Sequence, residues 1–120
     1  MSKTNEEGVV YERPWGIYQT LQLRDNYQVK QLVVNPGGRL SLQRHFKRAE
    51  HWVVVSGEPT ITVGETVNTY QSNCHVYIPL EAKHRIENLS DHRCVIIEVQ
   101  VGNYLGEDDI ERFDDVYGRV

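Results

Sequence analysis

Four side chains in two stretches of this chain have the types and spacing for metal-ion chemistry. Gln43 and His45 lie two residues apart, so on a strand they share a face. Glu50 can come back to them if the chain turns at Phe46 to Ala49 and pairs again through His51 to Val55. In the second stretch Pro79 sets up a turn and His84 opens another strand, so clusters from distant strands can converge on one cavity. An amide oxygen, two imidazoles and a carboxylate suit one divalent transition metal ion: Mn, Zn, Co, Ni or Fe. Polar groups converging inside a sheet need such a partner or a full set of hydrogen bonds. At this level three readings are open: a metal site, a buried hydrogen-bonded network, or ordinary surface residues.

Positive charge gathers around the same residues. Arg39, Arg44, Lys47 and Arg48 crowd the first cluster, and Lys83 and Arg85 flank His84. Groups so placed fit a small anion, most simply phosphate, with salt-bridged or solvated surface charge as the alternative for each of them. Across the chain 13 basic side chains stand against 17 acidic ones, a net charge of −4. No Lys/Arg stripe with interleaved aromatics marks a nucleic-acid face, so no nucleic-acid partner is expected.

The elements that must position these groups read as strands. Arg13-Pro14-Trp15-Gly16 turns into a strand through Tyr18 and Leu21, and Tyr27 to Val34 alternates as a half-buried strand. Asn35-Pro36-Gly37-Gly38 is the strongest turn signal, and the strand after it, Arg39 to His45, carries the first cluster. Trp52 to Val55 is dense in strand formers, and Thr60 to Tyr70 makes a hairpin about Gly64. Asn73 to Ile78, His84 to Asn88 and Arg93 to Val101 complete the set. On these phases Trp52, Val54 and Ile86 line the interior beside the ligands, while His51 lies opposite in parity to Glu50. Ile110, Phe113 and Tyr117 break the alternation, and their spacing predicts a short C-terminal helix. The fold class is therefore all-β: a closed double sheet whose mouth can hold a small ligand.

The 120 residues suffice for one domain, which buries roughly two thirds of its extended-chain surface. Residues 1–10 read as a flexible N-terminal segment and 11–120 as the single domain. Cys74 and Cys94 are too few for a disulfide scaffold and read as buried thiols in a reducing compartment. There is no signal-peptide core and no run approaching the roughly eighteen apolar residues of a membrane helix, so no membrane partner is expected and a cytoplasmic location is the default. Valine-rich outer faces of small sandwiches often pair about a twofold axis, and a homodimer is expected.

The intervals also carry a resemblance. Gly37, Gln43, His45, Glu50 and Gly57 are spaced as in the first cupin motif, with Gln43 where histidine is common. Pro79, His84 and Asn88 match the second motif, with Asn73 and Glu81 at its two usual glycine positions. RPWG, LSLQ, HFKRAEHWVVVSG, YIP before KHRIEN, and IEVQVGNYLGEDDIERFDDVYGR resemble, more narrowly, the C-terminal domain of type II phosphomannose isomerases. In many bacteria that domain follows a mannose-1-phosphate guanylyltransferase domain. Nothing here resembles the Gly-rich nucleotide loop of the guanylyltransferase, so GTP chemistry is not expected.

The resemblance implies a jelly-roll barrel, or double-stranded β-helix. It also implies interconversion of mannose 6-phosphate and fructose 6-phosphate by proton transfer through an enediolate. Carried over, the metal ligands are Gln43, His45, Glu50 and His84, and Arg48 matches an arginine important for isomerase activity. Lys47 and Lys83 are further candidates for the substrate phosphate, and Glu50 or a metal-bound hydroxide for the general base. Phe46 and Lys47 depart from the histidine-rich segment often found there. The alternative function is a non-catalytic or regulatory cupin that binds a phosphosugar or nucleotide sugar.

Overall fold

The computed structural model describes residues 4–118. The outermost residues of the two expected segments, 1–3 and 119–120, lie outside the described residues. Burial alternates along the two central strands, β3 (Tyr27–Val34) and β10 (Cys94–Gly102): Gln28, Lys30, Leu32 and Val34 are buried on the first, and Cys94, Ile96, Glu98 and Gln100 on the second. A period of two with one wet face needs a second layer to cover the dry one.

That layer is a second sheet. The first sheet has the order β1-β2-β3-β10-β5-β8, with β1 (Val10–Arg13), β2 (Gly16–Leu23), β5 (Arg48–Ser56) and β8 (His75–Ile78). The second has the order β11-β4-β9-β6-β7, built from β4 (Leu42–Arg44), β6 (Thr60–Val63), β7 (Thr66–Thr69), β9 (His84–Glu87) and β11 (Glu111–Asp114). Trp15, Leu32, Val34, Ile61, Ile86 and Ile96 form the core between them. The expected all-β double sheet is what the chain forms, and Trp52, Val54 and Ile86 are buried as expected.

Two expectations need correction. No helix occurs among the described residues, and the segment expected to be a short C-terminal helix is strand β11, paired antiparallel to β4. A single turn of helix is marginal by itself. The open edge of β4 offers ladder hydrogen bonds instead, reinforced by the Arg44–Glu111 ion pair at 2.7 Å and the Arg85–Asp114 pair at 3.2 Å. The strand expected over Arg39 to His45 shortens to Leu42–Arg44: Arg39 keeps only an isolated bridge to Glu87, and past Arg44 the Phe46 and Lys47 amides turn away to donate to the Asp109 carboxylate, each at 3.0 Å. Within residues 1–10, Asn5 packs against the first sheet. Asn5 is buried, donates to Gln28 at 3.1 Å and accepts from the Tyr18 hydroxyl at 2.9 Å.

Asn73 and Glu81 have φ of 75° and 66°, the left-handed region that glycine favours. They are the two positions where the second cupin motif usually has glycine. Glu81 also donates its amide to the His45 carbonyl at 2.8 Å, so this turn ties the approach of His84 to the backbone of the first cluster.

Candidate functional site

The two sheets bring three donors together from three places. Glu50 is the third residue of β5 in the first sheet, His84 opens β9 in the second, and His45 sits in the turn between β4 and β5. All three are buried, and their ligating atoms lie within 4.8 Å of one another. Gln43 pairs in register with His84 and lines the same cavity of about 90 Å³. Its amide nitrogen donates to the Ser41 hydroxyl at 3.0 Å, which leaves its oxygen as the atom that suits a cation.

Both imidazoles are oriented by the backbone. His45 Nδ1 lies 2.6 Å from the Asp109 carbonyl, and His84 Nδ1 lies 2.9 Å from the Ala82 carbonyl. A carbonyl only accepts, so each Nδ1 carries a proton and each neutral ring keeps its lone pair on Nε2. Histidine ligands are commonly oriented in this way, through the ring nitrogen that does not bind the metal. Burial pushes the His45 imidazole down to about 4, which keeps it neutral near pH 7 even though the Glu50 carboxylate pulls the other way. Burial would raise Glu50, but the Arg48 guanidinium beside it, with the Trp52 indole N–H, holds it well below the usual carboxylate range. Two imidazoles whose Nδ1 atoms are turned away to backbone carbonyls, an ionised carboxylate and an amide oxygen therefore fit a divalent transition ion.

Arg48 spans part of this donor set. Its Nε donates to Glu50 Oε2 at 2.9 Å, and its Nη2 lies 3.2 Å from His45 Nε2. Trp52 Nε1 donates to the other Glu50 oxygen at 2.8 Å. A guanidinium and a metal ion would compete for the same two lone pairs, so filling the site shifts hydrogen bonds of Arg48.

Beyond Arg48 the cavity has a second charged wall, which sequence reasoning missed. Lys30, Glu98 and Trp52 are cross-strand neighbours on β3, β10 and β5. Lys30 Nζ is 3.2 Å from Glu107 and lies over the Tyr18 ring, 4.4 Å from its centroid. Glu107 also faces Arg48 Nη1 at 3.6 Å. Burial, then repulsion from Glu50, pushes the Glu98 carboxyl up to about 8. A line of amides leads to it: Asn5 donates to Gln28, Gln28 to Gln100, and Gln100 to Glu98. Strand phase is the signal that was available: Lys30 shares its parity with Leu32 and Val34, and Glu98 with Cys94 and Ile96. For Glu107 and Asp109, in an irregular acidic run, there was none.

Of the other sequence candidates, Arg85 lines the cavity, whereas Lys47, Lys83 and His51 fall outside it. Lys47 and Lys83 are exposed, with their ammonium groups over the Tyr104 ring at 4.9 Å and the Phe113 ring at 4.2 Å. Arg85 is buried against Asp114 and the Leu40 carbonyl. His51 packs on the Tyr77 ring, on the outward face of β5.

Comparisons with known proteins bear on the family and the fold. Residues 2–115 match the profile described as "Mannose-6-phosphate isomerase C-terminal". The alginate biosynthesis protein AlgA of Pseudomonas putida is 52% identical over 90% of this chain, which spans 22% of that protein. A mannose-1-phosphate guanylyltransferase of Salmonella montevideo is 48% identical over 89% of the chain and 23% of its own length. The chain thus spans less than a quarter of these relatives. Among solved structures, a cupin domain of Schizosaccharomyces pombe Cnp3 superposes with a TM-score of 0.73 at 9% identity, over 78% of this chain and 68% of that one. A cupin-superfamily sugar phosphate isomerase from Silicibacter pomeroyi gives 0.66 at 17% identity, over 72% and 59%. These two likenesses show the fold, an all-β cupin barrel.

Proposed function

This chain belongs to the mannose-6-phosphate isomerase C-terminal family, and from that premise we propose that it is a metal-dependent isomerase interconverting mannose 6-phosphate and fructose 6-phosphate. The observation that carries the reading is the pair of imidazoles turned by backbone carbonyls to face Glu50, beside a buried cationic wall. Gln43, His45, Glu50 and His84 would hold the ion. When bound, a divalent ion supplies charge that stabilises negative oxygen next to the carbon losing a proton.

The chain's own residues do the rest. Arg48 Nη1, buried and without a hydrogen-bond partner among the described residues, stands at the boundary between metal site and wall, suited to a sugar oxygen or phosphate. Trp52 and Ile86 keep the interior apolar, which strengthens each charge interaction there. Glu98 is our assignment for the group that moves the proton between C1 and C2. A carboxyl raised to about 8 exchanges protons readily near neutral pH. Glu50, proposed as a ligand and bound by Trp52 and Arg48, is a poorer base.

The test is direct. Purified protein is loaded in turn with Mn, Co, Ni, Zn and Fe, given mannose 6-phosphate, and assayed for fructose 6-phosphate. Turnover with at least one metal is expected. A folded, metal-loaded protein that never produces fructose 6-phosphate would overturn the isomerase reading. One observation favours a second reading, a non-catalytic binder of phosphosugars: Arg48 already lies across two proposed metal donors. Such a protein would bind mannose 6-phosphate without turnover.

A further inference from the structure

Lys30 and Arg48 are both 5% exposed, and the carboxylate that faces both of them comes from outside the sheets. Glu107 lies on the irregular segment between β10 and β11, beside Gly106. Its side chain is 35% exposed, so it reaches in from the surface instead of being packed on a strand. Its contacts are incomplete. Two of its distances to Lys30 are 3.2 and 3.3 Å, but Arg48 Nη1 stands 3.6 Å away, buried and without a hydrogen-bond partner among the described residues. A buried guanidinium nitrogen left in that state favours any acceptor that can reach it.

The available space points the same way. A cavity of about 90 Å³ holds roughly three waters' share of liquid volume and falls short of the roughly 300 Å³ at which ligand pockets begin. A phosphorylated sugar therefore needs more room than this, and among the lining residues Glu107 is one that comes from irregular chain instead of a strand. A phosphate monoester brings about −1.5 to −2 charges and three acceptor oxygens, against one charge and two oxygens from a carboxylate. It can satisfy Lys30 and Arg48 Nη1 together.

We propose that Lys30 and Arg48 form the seat for the phosphate of the substrate, and that Glu107 occupies this seat until the phosphate displaces it. This rests on the phosphosugar reading above and adds the residues that select for it. It also makes the segment from Asn103 to Asp108 the part of the barrel mouth that yields on binding, while the Asp109 carbonyl and carboxylate stay tied to His45, Phe46 and Lys47.

Inorganic phosphate and mannose 6-phosphate are titrated calorimetrically into the wild type and Glu107→Gln, with mannose as control. Removing the internal competitor should tighten inorganic phosphate binding by about tenfold, while mannose is unaffected. Equal or weaker phosphate binding by a folded Glu107→Gln, or no phosphate binding by either protein, overturns the proposal. A second measurement needs no variant: in wild type saturated with phosphate, amide exchange at Gly106 to Asp109 should speed up. This segment is closed by the Asp109 amide donating to the Gly106 carbonyl at 3.2 Å. Unchanged or slower exchange there with phosphate bound also overturns displacement. Neither measurement reads turnover. A protein that binds phosphate as described but does not isomerise keeps this seat and loses the isomerase reading, and the converse result separates them the other way.

Discussion

At one end of the cavity His45, His84 and Glu50 aim lone pairs at a point, while at the other Lys30 and Arg48 aim N–H groups at a single carboxylate. The lone-pair end is held by backbone: carbonyls of Asp109 and Ala82 fix the two rings, and the Glu81 amide grips the His45 carbonyl. The N–H end is closed by one partly exposed side chain on irregular chain. Groups fixed by backbone are preorganised for a resident ion, whereas a counter-ion on a surface segment can be exchanged. Arg48 touches both ends, through Glu50 and His45 on one side and Glu107 on the other, so the separation is tested at Lys30 and His84, which each belong to one end.

The largest break is at the metal end. His84→Ala removes one of two oriented imidazoles and should weaken divalent metal binding by about 100-fold or more. His84 packs against Trp52, but its loss leaves the two sheets' shared core intact, so the fold should survive. Metal content after dialysis against a fixed free-metal buffer, with circular dichroism as the fold check, measures this. Unchanged metal content would reject the donor set.

The metal end was legible in the sequence because its residues hang on turns that sequence marks. Gly37 and Gly57 bracket Gln43, His45 and Glu50, and Pro79 precedes His84. The cationic wall was misread for the opposite reason. Lys47 and Lys83 were chosen as neighbours of ligands in sequence, yet the turns carry both side chains outward onto aromatic rings. Lys30 and Glu98 lie far from any ligand in sequence and reach the cavity through strand phase alone, a signal readable only once the inward phase is known to contain polar residues. The strand at Glu111–Asp114 was hidden because its value lies in closing the edge of β4, which no local pattern states.

A second break sharpens the contrast at the other end. Lys30→Met removes a buried charge that faces Glu107 and, by proposal, phosphate. It should weaken inorganic phosphate binding by about 30-fold or more and leave metal stoichiometry unchanged. Calorimetry on metal-loaded protein reads both. A parallel loss of metal would show that the two ends are one unit.

Protonation gives a smaller and signed version of the comparison. In the metal-free protein the two ends pull stability in opposite directions with pH. His45 falls from 6.5 to about 4 on folding, so the unfolded chain binds the extra proton and stability rises with pH across that window. Glu98 rises from 4.5 to about 8, so the folded chain holds the extra proton and stability falls as pH climbs through that window, levelling above it. Glu98→Gln abolishes only the second effect. Between pH 6 and pH 8 the wild type should lose up to about 1.4 kcal/mol per pH unit relative to the variant, read as a converging pair of urea midpoints. Midpoints that keep a constant separation would place the raised carboxyl elsewhere.

The smallest expected effect tests whether the backbone that presents His84 is strained. Glu81 sits at φ 66° with an exposed side chain and donates its amide to His45. Left-handed backbone costs a residue with a Cβ about 1 kcal/mol, and glycine gives back a similar amount of unfolded-state entropy. Glu81→Gly should thus change stability by less than about 1 kcal/mol, on the stabilising side if the strain exceeds the entropy. Metal affinity should stay within about twofold, because the amide that grips His45 is retained. A large loss of metal binding in this variant would mean that the Glu81 side chain, and not its backbone, steadies the lone-pair end of the cavity.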